Sequence, residues 1–273
     1  MMTAKKNNTM KKQSKTEMTY DISPAHSARF RRLCEEAMLE GRSNGDAGIG
    51  TLAEKRMHSI IKRYLCANAD FHEVGVLNTR YVSDVRIGNE VYEVQTGAFY
   101  PMQKKIAYYL EHTDCTVTVV HPIAVNKWVC WVDPVTREIS ERKKSPKHES
   151  EKDLLPELYC LIPYLTNPRL KFRLLLLEVQ DFRMLNGRSR DRKRGSTRYE
   201  RIPLELLGEV NFTSPEDFRR FLPSELPPHF TVKEFARLTQ FHGRDAYSAV
   251  RVLAAMGLLF PADPIGRAMA FSF

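Results

Sequence analysis

The spacing of apolar residues changes period several times along the chain, and each change marks an expected element. Over residues 24–40, Phe30, Leu33, Met38 and Leu39 recur at helical spacing and the run ends at Gly41, which predicts a short helix. Residues 42–50 are glycine-rich and polar and read as a loop. Over 51–66, Leu52, Met57, Ile60, Ile61, Tyr64 and Leu65 gather on one face of an amphipathic helix. The pattern then turns to strands. Residues 71–77 read as one strand; 81–87 and 90–96, rich in Val, Ile, Tyr and Thr, read as two more. Gly88-Asn89 between the last two suits a two-residue hairpin turn. Helical spacing returns over 98–113 with Met102, Ile106, Tyr109 and Leu110. Two β-branched runs follow at 115–121 and 126–133, then an apolar helix at 153–165 and a strand-like segment at 171–180.

After residues 204–212 the elements become short. Ser214-Pro215-Glu216 opens one helix with an N-cap and a first-turn proline, Thr231 caps a second through Leu238, and residues 243–256 give a third. The chain turns at Gly257, and residues 258–260 and 268–273 can pair across the intervening ADPIG segment. Three helices and a hairpin are the parts of a winged helix. The chain therefore divides into a basic arm over 1–23 expected to be disordered, an α/β domain over 24–185, a basic loop over 186–201 and a winged-helix-like domain over 202–273.

Charge adds a partner to this outline. Among 273 residues the formal net charge is +9 and the sequence pI is near 9.3, which favours a polyanion, nucleic acid first, with plain solubility as the alternative. The most basic stretch is 186–201, where Arg188, Arg190, Arg192, Lys193, Arg194, Arg198 and Arg201 face only Asp191 and Glu200. Its guanidinium groups suit phosphate recognition. Arg142, Lys143, Lys144 and Lys147 form a second basic segment, equally suited to a solvated loop. The third helix of a winged helix would present Arg244, Tyr247, Ser248 and Arg251 to a groove. Five widely spaced cysteines without a Cys-x-x-Cys pair indicate neither a disulfide framework nor a zinc ribbon, which fits a reducing cytoplasm. The longest aliphatic run, 174–177, is too short to span a bilayer, and no membrane partner is expected.

The candidate chemistry lies on the hairpin. Side chains alternate faces along a strand, so Glu93 and Gln95 share a face and the turn brings Asp84 beside them. An Asp and a Glu on neighbouring strands suit a hard divalent cation, and such an ion can activate water against a phosphodiester. The same residues also suit the polar face of an ordinary hairpin. On the 51–66 helix, Glu54 falls inside the apolar arc, where a carboxylate needs a partner, and His58 and Lys62 follow along its edge.

The order Asp84, turn, Glu93-Val94-Gln95 resembles the PD-(D/E)XK nuclease superfamily, the restriction-endonuclease-like fold, whose motif is an acid on one strand and Glu-x-Lys on the next. The succession of helix, three-strand meander, helix and strand is similar to the core of that superfamily. The resemblance implies that Asp84, Glu93 and Glu54 hold Mg²⁺ or Mn²⁺, and that Gln95 positions water where Lys is usual. Lys105 or Lys62 would supply charge to the transition state. Leu52-x-Glu54-Lys55, His58, Glu93-Val94-Gln95-Thr96, Phe99, Lys105, Val120-His121-Pro122-Ile123-Ala124 and Lys127-Trp128 are further similar to an uncharacterised bacterial family placed among PD-(D/E)XK-like proteins. That family typically has His where this chain has Ala53. The implied function is metal-dependent hydrolysis of DNA, with a homodimer and a protein partner through the C-terminal domain as further expectations. The alternative is a non-catalytic DNA-binding or regulatory protein on a degenerate nuclease fold.

Overall fold

The computed structural model describes residues 22–43, 53–76, 79–187 and 195–273. Most of the expected arm, residues 1–21, lies outside them, as do 188–194 of the basic loop. The protein is a mixed α/β fold with two sheets. Helices α1 (Pro24–Ser43) and α2 (Ala53–Leu65) come first, followed by strands β1 (His72–Gly75), β2 (Val82–Ile87) and β3 (Glu90–Val94). After these come helix α3 (Gln103–His112) and the long strand β4 (Thr116–Val132). A two-residue strand β5 (Lys143–Lys144) and the short helix α4 (Leu154–Glu157), continued by a 3₁₀ segment over Leu158–Tyr164, lead into β6 (Leu170–Met184) and β7 (Thr197–Phe212). The C-terminal part contains β8 (His229–Thr231), α5 (Val232–Thr239), α6 (Arg244–Ala255), β9 (Phe260–Ile265) and β10 (Ala268–Ser272).

The seven-stranded sheet has the order β1-β2-β3-β4-β6-β7, with β5 beside the far end of β4. The meander β1-β2-β3 is antiparallel, β3 and β4 are parallel, β4 and β6 are parallel, and β7 returns antiparallel to β6. The β2–β3 turn is the expected one: Ile87 pairs with Glu90 and Gly88 takes φ +60, a backbone position that glycine adopts without a Cβ clash.

Several elements differ from the sequence expectation. Residues Pro215–Phe221 form a 3₁₀ helix, and most of the ADPIG segment, expected to connect the C-terminal strands, lies within β9. Residues 115–121 and 126–133 belong to one continuous strand, interrupted only by a register shift between Ala124 and Asn126, because β6 pairs alongside the whole length. Residues 197–201, expected in the basic loop, are also strand, since β7 pairs with β6 out to Met184↔Thr197.

The sheet is covered on both faces. Phe30, Leu33, Met57, Ile60, Ile61 and Tyr64 of α1 and α2 bury one face against Val94, Val120, Leu175 and Leu177. The opposite face buries α3 through Ile106, Tyr109 and Leu110, together with Leu154, Leu155, Leu158 and Leu161. This second core continues without a break into the C-terminal part, where Val250, Val252 and Leu253 of α6 and Phe230 and Phe271 of the β8-β10-β9 sheet join it. All five cysteines are free. No helix among the described residues is long and apolar enough to cross a membrane.

A core shared between the two sheets should unfold as a unit. Leu253→Ala, at a fully buried position on α6, the helix that packs against α4, is expected to cost about 2–5 kcal/mol. Urea melts followed by a probe on the large sheet and by one on the C-terminal part should shift together; a shift confined to the C-terminal probe would refute the shared core.

Candidate active site

Asp84 and Glu93 are brought together by register. The last paired residues of β2 and β3 are Val85 and Tyr92, so the next position along the ladder sets Asp84 opposite Glu93, and opposed residues on an antiparallel pair point to the same side. Beyond that pair the ladder is replaced by a side chain: the Val94 N–H donates to Asp84 Oδ2 at 2.7 Å. Asp84 therefore ties down the end of β3 as well as facing its neighbour.

Glu93 is almost completely buried. Both of its oxygens have partners on α3: Lys105 Nζ donates to Oε2, and Tyr109 Oη donates to Oε1 at 2.9 Å. The two donors are four residues apart, one helical turn, which lets both reach the same carboxylate. Burial nevertheless dominates and, with the charge of Asp84, lifts the Glu93 pKa to about 7 against the pull of Lys105 and Tyr109.

Asp84 behaves oppositely. Burial would raise its pKa, but the hydrogen bond and charge of His58, the Val94 N–H and the charge of Lys105 outweigh it and hold the carboxyl below its ordinary value. His58 Nε2 lies 3.1 Å from Asp84 Oδ2, delivered from α2. One acid is thus kept ionised while its neighbour holds a proton close to neutrality, the separation by which paired carboxyls take different chemical parts.

A cavity of about 800 Å³ opens beside this pair, lined by His58, Ser59, Lys62, Glu73 and the loop from Gln95 to Ala98. Gln95 lines it, but its side-chain amide donates to its own loop at the Ala98 carbonyl. His121, on β4, holds the same loop from behind: its Nδ1 bonds to the Gln95 carbonyl and its ring packs edge-on against Phe99. Burial keeps that imidazole below its ordinary pKa, so it donates as a neutral ring. Lys62, mostly buried, pairs with Glu73 at 2.7 Å.

Of the residues expected at a site, Asp84, Glu93 and Lys105 converge on one point, with His58 joined to Asp84. Gln95 and Lys62 border the adjoining cavity. Glu54 falls in the first turn of α2, where side chains lie outside the described residues, and Arg188, Arg190, Arg192, Lys193 and Arg194 are outside them too. Arg198 is exposed on β7, whereas Arg201 is mostly buried and committed to Asp181 at 2.6 Å and Glu149 at 3.4 Å. Arg244, Tyr247 and Arg251 form an exposed stripe on α6; Ser248 is buried. Tyr109 and Glu73 were not singled out from sequence. Tyr109 sits in a helical packing stripe, and nothing local distinguishes its hydroxyl.

A family model described as "Domain of unknown function (DUF8091)" matches residues 55–213. No curated protein and no solved structure matches the chain.

The raised pKa of Glu93 has a sign that can be measured. The folded state holds an extra proton between the ordinary value of 4.5 and about 7, so the contribution of Glu93 to stability is full below that window, is lost as pH rises through it and is level above. Relative to Glu93→Gln, which has no proton to titrate, the wild type should lose on the order of 3 kcal/mol across the window in urea unfolding. A pH-independent difference would show that the buried carboxyl titrates normally.

Proposed function

We infer the function of this chain, which belongs to the family of that domain of unknown function, as metal-dependent hydrolysis of DNA phosphodiester bonds on a restriction-endonuclease-like core followed by a winged helix. One observation carries the reading: Asp84 and Glu93 face each other at the end of an antiparallel hairpin, and Lys105 brings an ammonium to the same carboxylate from the following helix. The lysine absent at Gln95 thus has a counterpart on α3. The order β8-β10-β9 around α5 and α6 supports the winged-helix part.

The donor set fits Mg²⁺ or Mn²⁺. Two hard carboxylates on adjoining strands are the usual protein share of such a site, the rest being water and substrate phosphate. Among the described residues no group of three or more His, Cys, Asp or Glu side chains is placed to hold a metal. Asp84 and Glu93 would therefore act as the pair, with Glu54 as the expected third donor. The ion, when bound, supplies a polarised water and neutralises phosphoryl charge.

The chain supplies the remainder. Asp84, already ionised, is ready to ligate, and its bond to the Val94 N–H fixes the carboxylate at the strand end. Glu93 would hold the ion as its carboxylate, the form left once its proton has passed to solvent, and Lys105, now paired with Glu93, would be the ammonium nearest charge developing on the phosphate. The contact of His58 Nε2 with Asp84 Oδ2, at 3.1 Å, orients the imidazole at the cavity wall, the place for a group that assists a departing oxygen. Gln95, held to Ala98, keeps the loop around the cavity in shape.

A second reading has its own observation. Both Glu93 oxygens are satisfied by Lys105 and Tyr109, the arrangement of a buried structural acid. On that reading the protein binds DNA without cutting it.

Labelled linear, branched and single-stranded DNA, incubated with Mg²⁺, Mn²⁺ or chelator, separates the two. Metal-dependent cleavage that falls at least about a hundredfold in Asp84→Ala and Glu93→Ala, with both variants still folded at the assay temperature by circular dichroism, is the expected result. Binding without cleavage on every substrate selects the second reading. On either reading the exposed stripe of α6 and the basic loop carry phosphate contacts. Arg244→Ala with Arg251→Ala should weaken duplex binding uniformly across sequences and reduce the salt dependence by about one to two counterions. An unchanged salt slope would remove α6 from the interface.

A further inference from the structure

The ion pair between Lys62 and Glu73 is unequal. The Lys62 side chain is 11% exposed and that of Glu73 70% exposed, at an Nζ–Oε1 distance of 2.7 Å. A carboxylate so open to water is rehydrated as soon as it leaves, whereas the ammonium needs an anion to replace it. Both residues line the cavity beside Asp84, and the charge of Asp84 opposes that of Glu73.

Glu73 is also held in an uncommon backbone state. It lies on the edge strand β1 between the pairs His72↔Val85 and Val74↔Ser83, across from Asp84, with φ +53. L side chains seldom adopt that region, and surrounding contacts must impose it. Among the described residues, the Glu73 side chain accepts its hydrogen bond from Lys62 Nζ.

Lys62 follows His58 by four residues on α2, about 6 Å along the helix axis. That is about the step from one phosphate to the next along a nucleic-acid strand. A strand that placed a phosphodiester at Asp84 and His58 would bring its neighbouring phosphate toward Lys62, on the cavity wall that Ser59 and Thr96 also line.

We infer that Lys62 forms a phosphate subsite next to the Asp84 centre, and that Glu73 fills it with its own carboxylate until a nucleic-acid strand displaces it. The inference rests on the nuclease reading above. In this arrangement Glu73 competes with substrate: it keeps Lys62 oriented in the free protein and sets a threshold that a lone small anion does not pass.

The test is fluorescence anisotropy of a fluorescein-labelled 16-base-pair duplex in chelator, so that no cleavage intervenes. Glu73→Gln should tighten binding about two- to fivefold, the scale of one exposed ion pair removed from competition. Glu225→Gln removes the same charge from an exposed position in the C-terminal part and should leave affinity unchanged. Lys62→Met should weaken binding and abolish the gain from Glu73→Gln. Equal affinity of Glu73→Gln and wild type overturns the subsite, as does a gain that persists with Lys62→Met or is matched by Glu225→Gln. If Lys62→Met fails to fold, the comparison of Glu73→Gln with Glu225→Gln still decides. A Lys62-dependent gain in a protein that never cleaves keeps the subsite and rejects hydrolysis.

Discussion

Parallel pairing between β3 and β4 is the constraint from which the site follows. Parallel neighbours cannot be joined by a tight turn, so the chain must leave the end of β3, cross one face of the sheet and re-enter at the start of β4. The crossing element is α3. It packs Ile106, Tyr109 and Leu110 into the core beside Val117 and Val119 of β4, and the same turn of helix carries Lys105 and the Tyr109 hydroxyl onto Glu93. Register on the other side is equally strict. The two-residue turn at Gly88-Asn89 fixes β2 against β3, and a slip of one residue would send Asp84 and Glu93 to opposite faces.

The electrostatics follow from where this crossing lands. Glu93, beneath α3, loses solvent and keeps its proton to about pH 7 even with an ammonium beside it. Asp84 lies at the strand end, within reach of His58 from α2 and of a backbone N–H, and remains charged. Two carboxyls that face each other across one hairpin thus differ in protonation because different elements pack on them, α3 on Glu93 and α2 on Asp84. The cavity beside them is bordered by a loop that His121 holds from β4 through a carbonyl rather than a side chain. Such a contact constrains shape without committing another charge.

Much of this was readable in the residue pattern. The hairpin, its turn, the helix before it and the helix after it are local elements, set by periodicity and by a Gly-Asn pair. The adjacency of Asp84 and Glu93 followed from alternation and one tight turn. The continuity of β4 was not legible, because Pro122 after His121 looks like a strand end and only pairing along the length of β6 carries the strand through 122–125. Arg201 read as a free loop cation, yet its partners Asp181 and Glu149 lie 20 and 52 residues away in sequence. The same distance blindness hid Tyr109, whose hydroxyl is useful only because α3 lies over β3.

The sequence by itself determined the β2–β3 hairpin and the helices on either side of it, that the chain is basic, and that this hairpin carries an acid on each strand. Those properties depend on neighbours within a turn or two. Tertiary structure alone decided that Lys105 rather than Lys62 meets Glu93, that Gln95 turns to its own loop, and that Lys62 is answered by Glu73. Each of those choices is made by a crossover or a sheet edge, and local periodicity carries no information about which distant segment will pack there.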